Sequence, residues 1–240
     1  MGCTNEKVIE NEVLDTMIVD TVVVSDTIIN EEVVTDTLQV LRSELRNDAQ
    51  YIDDAFLISL NHNDLKNENT GDRYRLTVRS FYAAIVGETS WDNRILMRFN
   101  DMEFINSSAQ IDSAILTLYV YYQDGCNSND CVPLGNNLLG FYPLVRAWDE
   151  QSVTWENQPE WSTEVEVKST EAIGNSDTYF SIDIAPVVQY WLDEENYGMM
   201  IKLLDEDNID FVEKVVEFYS SDHADEELRP QLTLYYHESN

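Results

Sequence analysis

From Tyr51 onward, short apolar runs alternate with polar turns: Ala55–Leu60, Tyr74–Val78, Ala83–Val86, Ile95–Phe99, Ala114–Tyr122, Leu138–Val145, Tyr179–Ile184, Met199–Leu204, Val215–Tyr219 and Gln231–Tyr236. Within several runs the polarity alternates residue by residue, as in Leu116, Leu118, Val120 and Tyr122 against Thr117, Tyr119 and Tyr121. Period-two alternation places one set on a core and the other toward solvent, so each run predicts a half-buried strand. One stretch, Ala185–Leu192, reads as a helical turn, with Pro186 at its start and Asn196–Gly198 closing the excursion. About ten short strands with one short helix predict an all-β chain, a jelly-roll β-sandwich rather than a βαβ array.

The first fifty residues have a different texture. From Asn5 to Gln50 there is no Gly, Pro or aromatic residue, and Asp-Thr recurs after short β-branched runs (Asp15-Thr16, Asp20-Thr21, Asp26-Thr27, Asp36-Thr37). Val and Ile favour extended backbone, while the regular acids prevent a closed core. Residues 1–50 are therefore expected to be an extended acidic tether, and residues 51–240 the sandwich domain. The spacing of Leu38, Leu41 and Leu45 predicts a short helix around Leu38–Leu45. Part of the tether could equally add strands to a partner's sheet.

Charge narrows the partners. With 46 acidic and 14 basic side chains the formal net charge is −32, which opposes binding to a nucleic-acid backbone. Asp, Thr and Glu interrupt every apolar run, and none approaches the roughly 20 residues of a membrane-spanning helix. Cys126 and Cys131 flank a turn-rich segment, a spacing that suits a disulfide at a hairpin tip, and so an oxidising compartment; two free thiols are the alternative. Cys3 follows Met-Gly, as a lipidated bacterial cysteine follows a small residue, which makes it a candidate lipid anchor at the outer membrane or cell surface. No apolar leader precedes it. Myristoylation competes poorly, because Glu6 stands where that motif takes Ser or Thr, and an incidental N-terminal cysteine is the third reading.

Three blocks occur in order. The first is Asp92-Asn93-Arg94-Ile95-Leu96-Met97-Arg98-Phe99-Asn100, followed by Ala109 to Tyr119. The second runs from Trp148-Asp149-Glu150 through Val153-Thr154-Trp155 to Asn157-Gln158-Pro159. The third is Phe180 to Trp191, then Asn196-Tyr197-Gly198, with a closing Arg229-Pro230-Gln231-Leu232-Thr233-Leu234. This succession resembles the DNRLRE-domain family, part of which is classified as carbohydrate-binding module family 96, over about Asp53 to Tyr236. The resemblance implies a jelly-roll sandwich of secreted proteins that often accompanies polysaccharide lyases, binds uronate-rich polysaccharides such as alginate, and commonly carries a structural calcium ion.

The candidate residues are weighed beside that expectation. Trp148, Trp155 and Trp191 sit where packing accounts for them, whereas Trp91 and Trp161 lie in polar loop contexts and are candidates for stacking on sugar rings. The scarce cations cluster: Arg73, Arg75 and Arg79 share one parity opposite Tyr74, Leu76 and Val78, and Arg94 and Arg98 oppose Ile95, Met97 and Phe99. If the two strands pair, five guanidinium groups would line one sheet face suited to carboxylates; ion pairing with the chain's own acids is the plainer alternative. Asp53, Asp54, Asp205 and Asp207 are candidate calcium ligands shaped by the resemblance. Acid pairs such as Glu150 with Glu156 and Asp222 with Asp225 read as solvated surface. There is no Gly-x-Ser-x-Gly elbow, phosphate loop or His-Glu-x-x-His, so the expected function is non-catalytic. The partner is an acidic polysaccharide or, alternatively, the protein assembly of a cell-surface filament, sheath or transport complex.

Overall fold

A computed structural model of the chain describes residues 19–23, 27–29, 32–34, 39–46, 51–60, 62–83, 89–100, 102, 105–121, 133–206 and 212–238. Cys3, Cys126, Cys131 and Asp207 lie outside the described residues. The strands are β1 (Val19–Val23), β2 (Thr27–Ile29), β3 (Glu32–Val34), β4 (Gln39–Arg46), β5 (Ile52–Ile58), β6 (Arg75–Ala83), β7 (Thr89–Phe99), β8 (Ala109–Tyr119), β9 (Leu139–Pro143), β10 (Val167–Lys168), β11 (Tyr179–Asp183), β12 (Met199–Leu203), β13 (Lys214–Tyr219) and β14 (Gln231–Glu238). Ten of them, β5 to β14, follow Tyr51, as the alternating runs predict.

With β1 and β4 they form a two-sheet antiparallel β-sandwich, while β2 and β3 pair with each other. One sheet has the order β1-β4-β14-β8-β11; the other runs β10-β9-β12-β7-β6-β13, with β5 also paired to β7. The core is built from the alternate residues facing inward. Leu116 and Leu118 of β8 and Leu232 and Leu234 of β14 meet Ile95 and Met97 of β7, Phe141 of β9 and Ile201 of β12, all fully or almost fully buried. Each such side chain stabilises the fold by about 1.5–3 kcal/mol through loss of apolar contact with water.

Helix α1 (Ala185–Asp193) connects β11 to β12 and buries Val187, Val188 and Trp191 against the core. Pro186 stands in its first turn, where its missing N–H removes no hydrogen bond. The turn beyond it needs glycine. Gly198 has φ +83, and a Cβ there would lie 2.4 Å from the Met97 carbonyl oxygen.

The segment around Leu38–Leu45 is a strand and not the helix its leucine spacing predicts. Strand β4 pairs with β14 from Gln231↔Arg46 to Tyr236↔Leu41, and β1 pairs with β4. Leu41 and Leu45, four residues apart, share a face in either period, and the open edge of β14 supplies the backbone partners that decide for a strand. The N-terminal segment thus adds strands to the chain's own sheet.

Candidate functional site

Strand β7 carries Arg94, Leu96 and Arg98 on the side opposite its core residues, and this outer face is covered. Leu96, Ala55, Leu57, Tyr142, Leu144 and Met200 form a second apolar cluster, closed by Trp148 and Val153, with Trp155, Trp161 and Tyr197 packed on it. The cover is the connection after β9, and Trp148 Nε1 fixes it by donating to the Tyr197 carbonyl at 2.9 Å.

The two arginines are built into this layer. Arg94 donates through Nε and Nη2 to Glu206 Oε1 and Oε2, both at 2.8 Å, and through Nη1 to Gln158 Oε1 at 2.9 Å. Its guanidinium lies 4.4 Å from the Trp155 ring centre and 5.1 Å from that of Trp161. Arg98 pairs with Asp53 and lies 5.5 Å from the Trp148 ring. Their side chains are only 15% and 22% exposed, and every nitrogen of the Arg94 fork has a partner. Bidentate pairs of this kind hold a loop to a sheet.

Arg79 and Arg75 form a separate group. The β6–β7 hairpin registers Arg79 with Asn93, which shares a side of β7 with Ile95; beyond Asn93 the partner on β7 is β5. Hence the five guanidinium groups do not form one row. Arg79 pairs with Glu213 at 2.7 Å and covers the half-buried Trp91 at 4.6 Å, whose Nε1 donates to Asn93 Oδ1. Arg75 makes a single hydrogen bond among the described residues, Nη1 to Glu217 Oε2 at 3.2 Å, and its side chain is 39% exposed.

Around Arg75 the chain gathers tyrosines from three places. Tyr74 is 51% exposed, with its ring centre 5.9 Å from Tyr121. Tyr121 meets Tyr219 edge-on at 5.1 Å, and Tyr219 meets His223 at 4.5 Å. Arg75 lies 5.7 Å from the Tyr121 ring, and the exposed Arg73 pairs with Glu68. Burial, then the hydrogen bond with Tyr74, pushes the Tyr121 phenol up to about 12, so it remains a neutral hydrogen-bonding group. An accessible guanidinium against an aromatic face, as Arg75 is against Tyr121, can hold a carboxylate and the apolar side of a ring at once.

The model of carbohydrate-binding module family 96 matches residues 49–236. The chain belongs to that family. No curated protein matches the chain.

In this family-96 module the described calcium candidates, Asp53, Asp54 and Asp205, are held in different surroundings. Asp53 and Asp54 are successive on β5 and face opposite sides; Asp53 is held by Arg98 and Asp205 by Lys214. Among the described residues no group of three or more acidic, His or Cys side chains is arranged to hold a metal ion.

Two of the acids depart from the solvated expectation, Asp54 and Glu150. Asp54 is sealed in the protein: Oδ2 accepts the Ser221 N–H at 2.8 Å, while Oδ1 has no partner among the described residues. Its N–H donates to Glu150 Oε1 at 2.8 Å. Burial, with a smaller contribution from the fields of Glu150 and Asp222, holds the Asp54 carboxyl well above the usual range. Burial, then the fields of Asp53 and Asp222, pushes Glu150 up to about 7.

Proposed function

We propose that this family-96 module is a non-catalytic, lipid-anchored cell-surface protein that binds an acidic, uronate-type polysaccharide at the Arg73–Arg75 end of the sandwich. The observation that carries it is the contrast between two arginines. Arg94 is saturated and enclosed, whereas Arg75 makes one hydrogen bond among the described residues and lies against Tyr121, whose ring meets that of the exposed Tyr74. A uronate offers both features this end complements: a carboxylate for the fork and an apolar ring face for the tyrosine.

Membership of a carbohydrate-binding family supports a polysaccharide partner, and the small Gly2 before Cys3 supports an anchor at Cys3. The large negative charge opposes any polyanion at long range, so binding is confined to this local cationic patch and weakens with salt. Affinity electrophoresis through gels containing alginate or polygalacturonate tests it. Retardation is expected for the natural sequence, with loss on Arg75→Ala and Tyr74→Ala; no retardation by either polymer would remove the proposal. Metabolic labelling with a fatty-acid analogue in the native bacterium tests the anchor, since Cys3→Ala should abolish incorporation.

A further inference from the structure

The five-stranded sheet has an outer face of a different character from the rest of the chain. The outward positions of β8, β11 and β14, from Ser113 to Tyr119, Tyr179 to Asp183 and Gln231 to Tyr235, carry one formal charge, Asp183. In a chain that is 25% charged, that is a depleted surface. Asp183 is already committed, accepting from the Ser113 hydroxyl and from the Ala114 and Ala185 N–H groups. What remains is hydroxyl, amide and aromatic apart from Ile115, and it ends at the Asp112–His237 pair.

At the edge of this face lies a cleft of about 310 Å³, between β11 and the segment that follows β10. Val120 N–H donates to the Thr178 carbonyl at 3.0 Å and Ile184 N–H to the Ala114 carbonyl at 2.7 Å. By antiparallel alternation, Tyr179 and Ser181 therefore turn their backbone N–H and C=O away from β8, toward the cleft. Phe180 faces the core instead, stacked on Phe141 at 6.1 Å. The Tyr179 ring stands at the rim, 58% exposed, with its centre 6.4 Å from Tyr119.

The charges in the cleft select the occupant. Glu171 and Asp177 line it against a single cation, Lys168, which is itself paired with Glu166 at 2.7 Å. A polyanion would meet net repulsion there. A neutral sugar would meet carboxylate and backbone acceptors for its hydroxyls and an aromatic face for its ring.

We infer that the β11 edge cleft, with Tyr179 at its rim, is a second glycan site that takes a neutral polysaccharide chain. It shares no residue with the arginine–tyrosine end, so one chain could bridge two different polymers.

The test is affinity electrophoresis of the full chain in gels containing hydroxyethylcellulose, laminarin, xylan or galactomannan, with alginate as a separate arm. At least one neutral polymer should retard the protein equally in dilute buffer and at about 0.5 M NaCl, because no ion pair is formed. Tyr179→Ala should weaken that retardation about fivefold to tenfold, Tyr179→Trp should preserve it, and Arg75→Ala should leave it unchanged. Retardation by none of the neutral polymers, or retardation that Tyr179→Ala leaves intact, overturns the inference. No retardation of the natural sequence by alginate, with a neutral polymer still retarding it, would instead count against the arginine–tyrosine end.

Discussion

Replacing Glu150 with Gln should stabilise the protein at about pH 8 and leave its stability unchanged near pH 4. The Glu150 carboxyl is half-buried against Asp54, and burial, then the fields of Asp53 and Asp222, raises it from its ordinary 4.5 to about 7. Between those values the folded state binds a proton that the unfolded state has lost. A carboxyl raised in this way contributes its full stability below the unfolded value, and loses it as pH rises through the folded value. At about 1.4 kcal/mol per pH unit the displacement corresponds to roughly 3 kcal/mol in a dry site. Solvent screening at the half-open Glu150 reduces this to about 1–2 kcal/mol. Gln keeps the oxygen that accepts the Asp54 N–H and removes the charge. Urea unfolding followed by tryptophan fluorescence, in a chelator-containing buffer at several pH values, gives the difference directly. The natural sequence should lose stability between about pH 4.5 and 7, and the variant should lose less, so that the two curves separate by about 1–2 kcal/mol above pH 7. A variant no more stable than the natural sequence at about pH 8 refutes the reasoning.

Arg94→Ala should destabilise the fold by about 2–4 kcal/mol in the same assay, since it strands the nearly buried Glu206 with Lys202 as its remaining cation and removes the plane between Trp155 and Trp161. Below its unfolding midpoint that variant should still bind alginate as the natural sequence does. Gly198→Ala should cost about 2–4 kcal/mol, because φ +83 is strained for alanine and the new Cβ would collide with the Met97 carbonyl; thermal unfolding by circular dichroism checks it.

The strands of the sandwich were legible because most show the period of two, and α1 because Pro186 and the Asn196–Gly198 turn bracket it. The packing role of Trp148 and Trp191 was legible as well, and both are buried. Long-range pairing was not. The leucines of β4 satisfy a helical spacing as well as a strand, and only the edge of β14, almost two hundred residues later, decides between them. Leu76 and Val78 of β6 and Ile95, Met97 and Phe99 of β7 enter the core as their alternation predicts, whereas Tyr74 does not. What the sequence does not carry is the handover from β6 to β5 as the partner of β7 at Asn93, which breaks the expected row. Tyr74, Tyr121 and Tyr219 come from segments far apart, and strand parity grouped Tyr74 with the inward Leu76 and Val78, whereas its ring is exposed. The burial of Asp54 and Glu150 was likewise hidden among so many acids, because composition says nothing about which carboxylate the fold encloses.

The most direct test of the account is the affinity of the intact chain for alginate, compared with that of Arg75→Ala at low and at high salt. Binding by the natural sequence that weakens as NaCl rises, with about a tenfold loss in Arg75→Ala and no change in unfolding midpoint, is the predicted result. Alginate binding that Arg75→Ala leaves unchanged, or no binding at low salt, contradicts it.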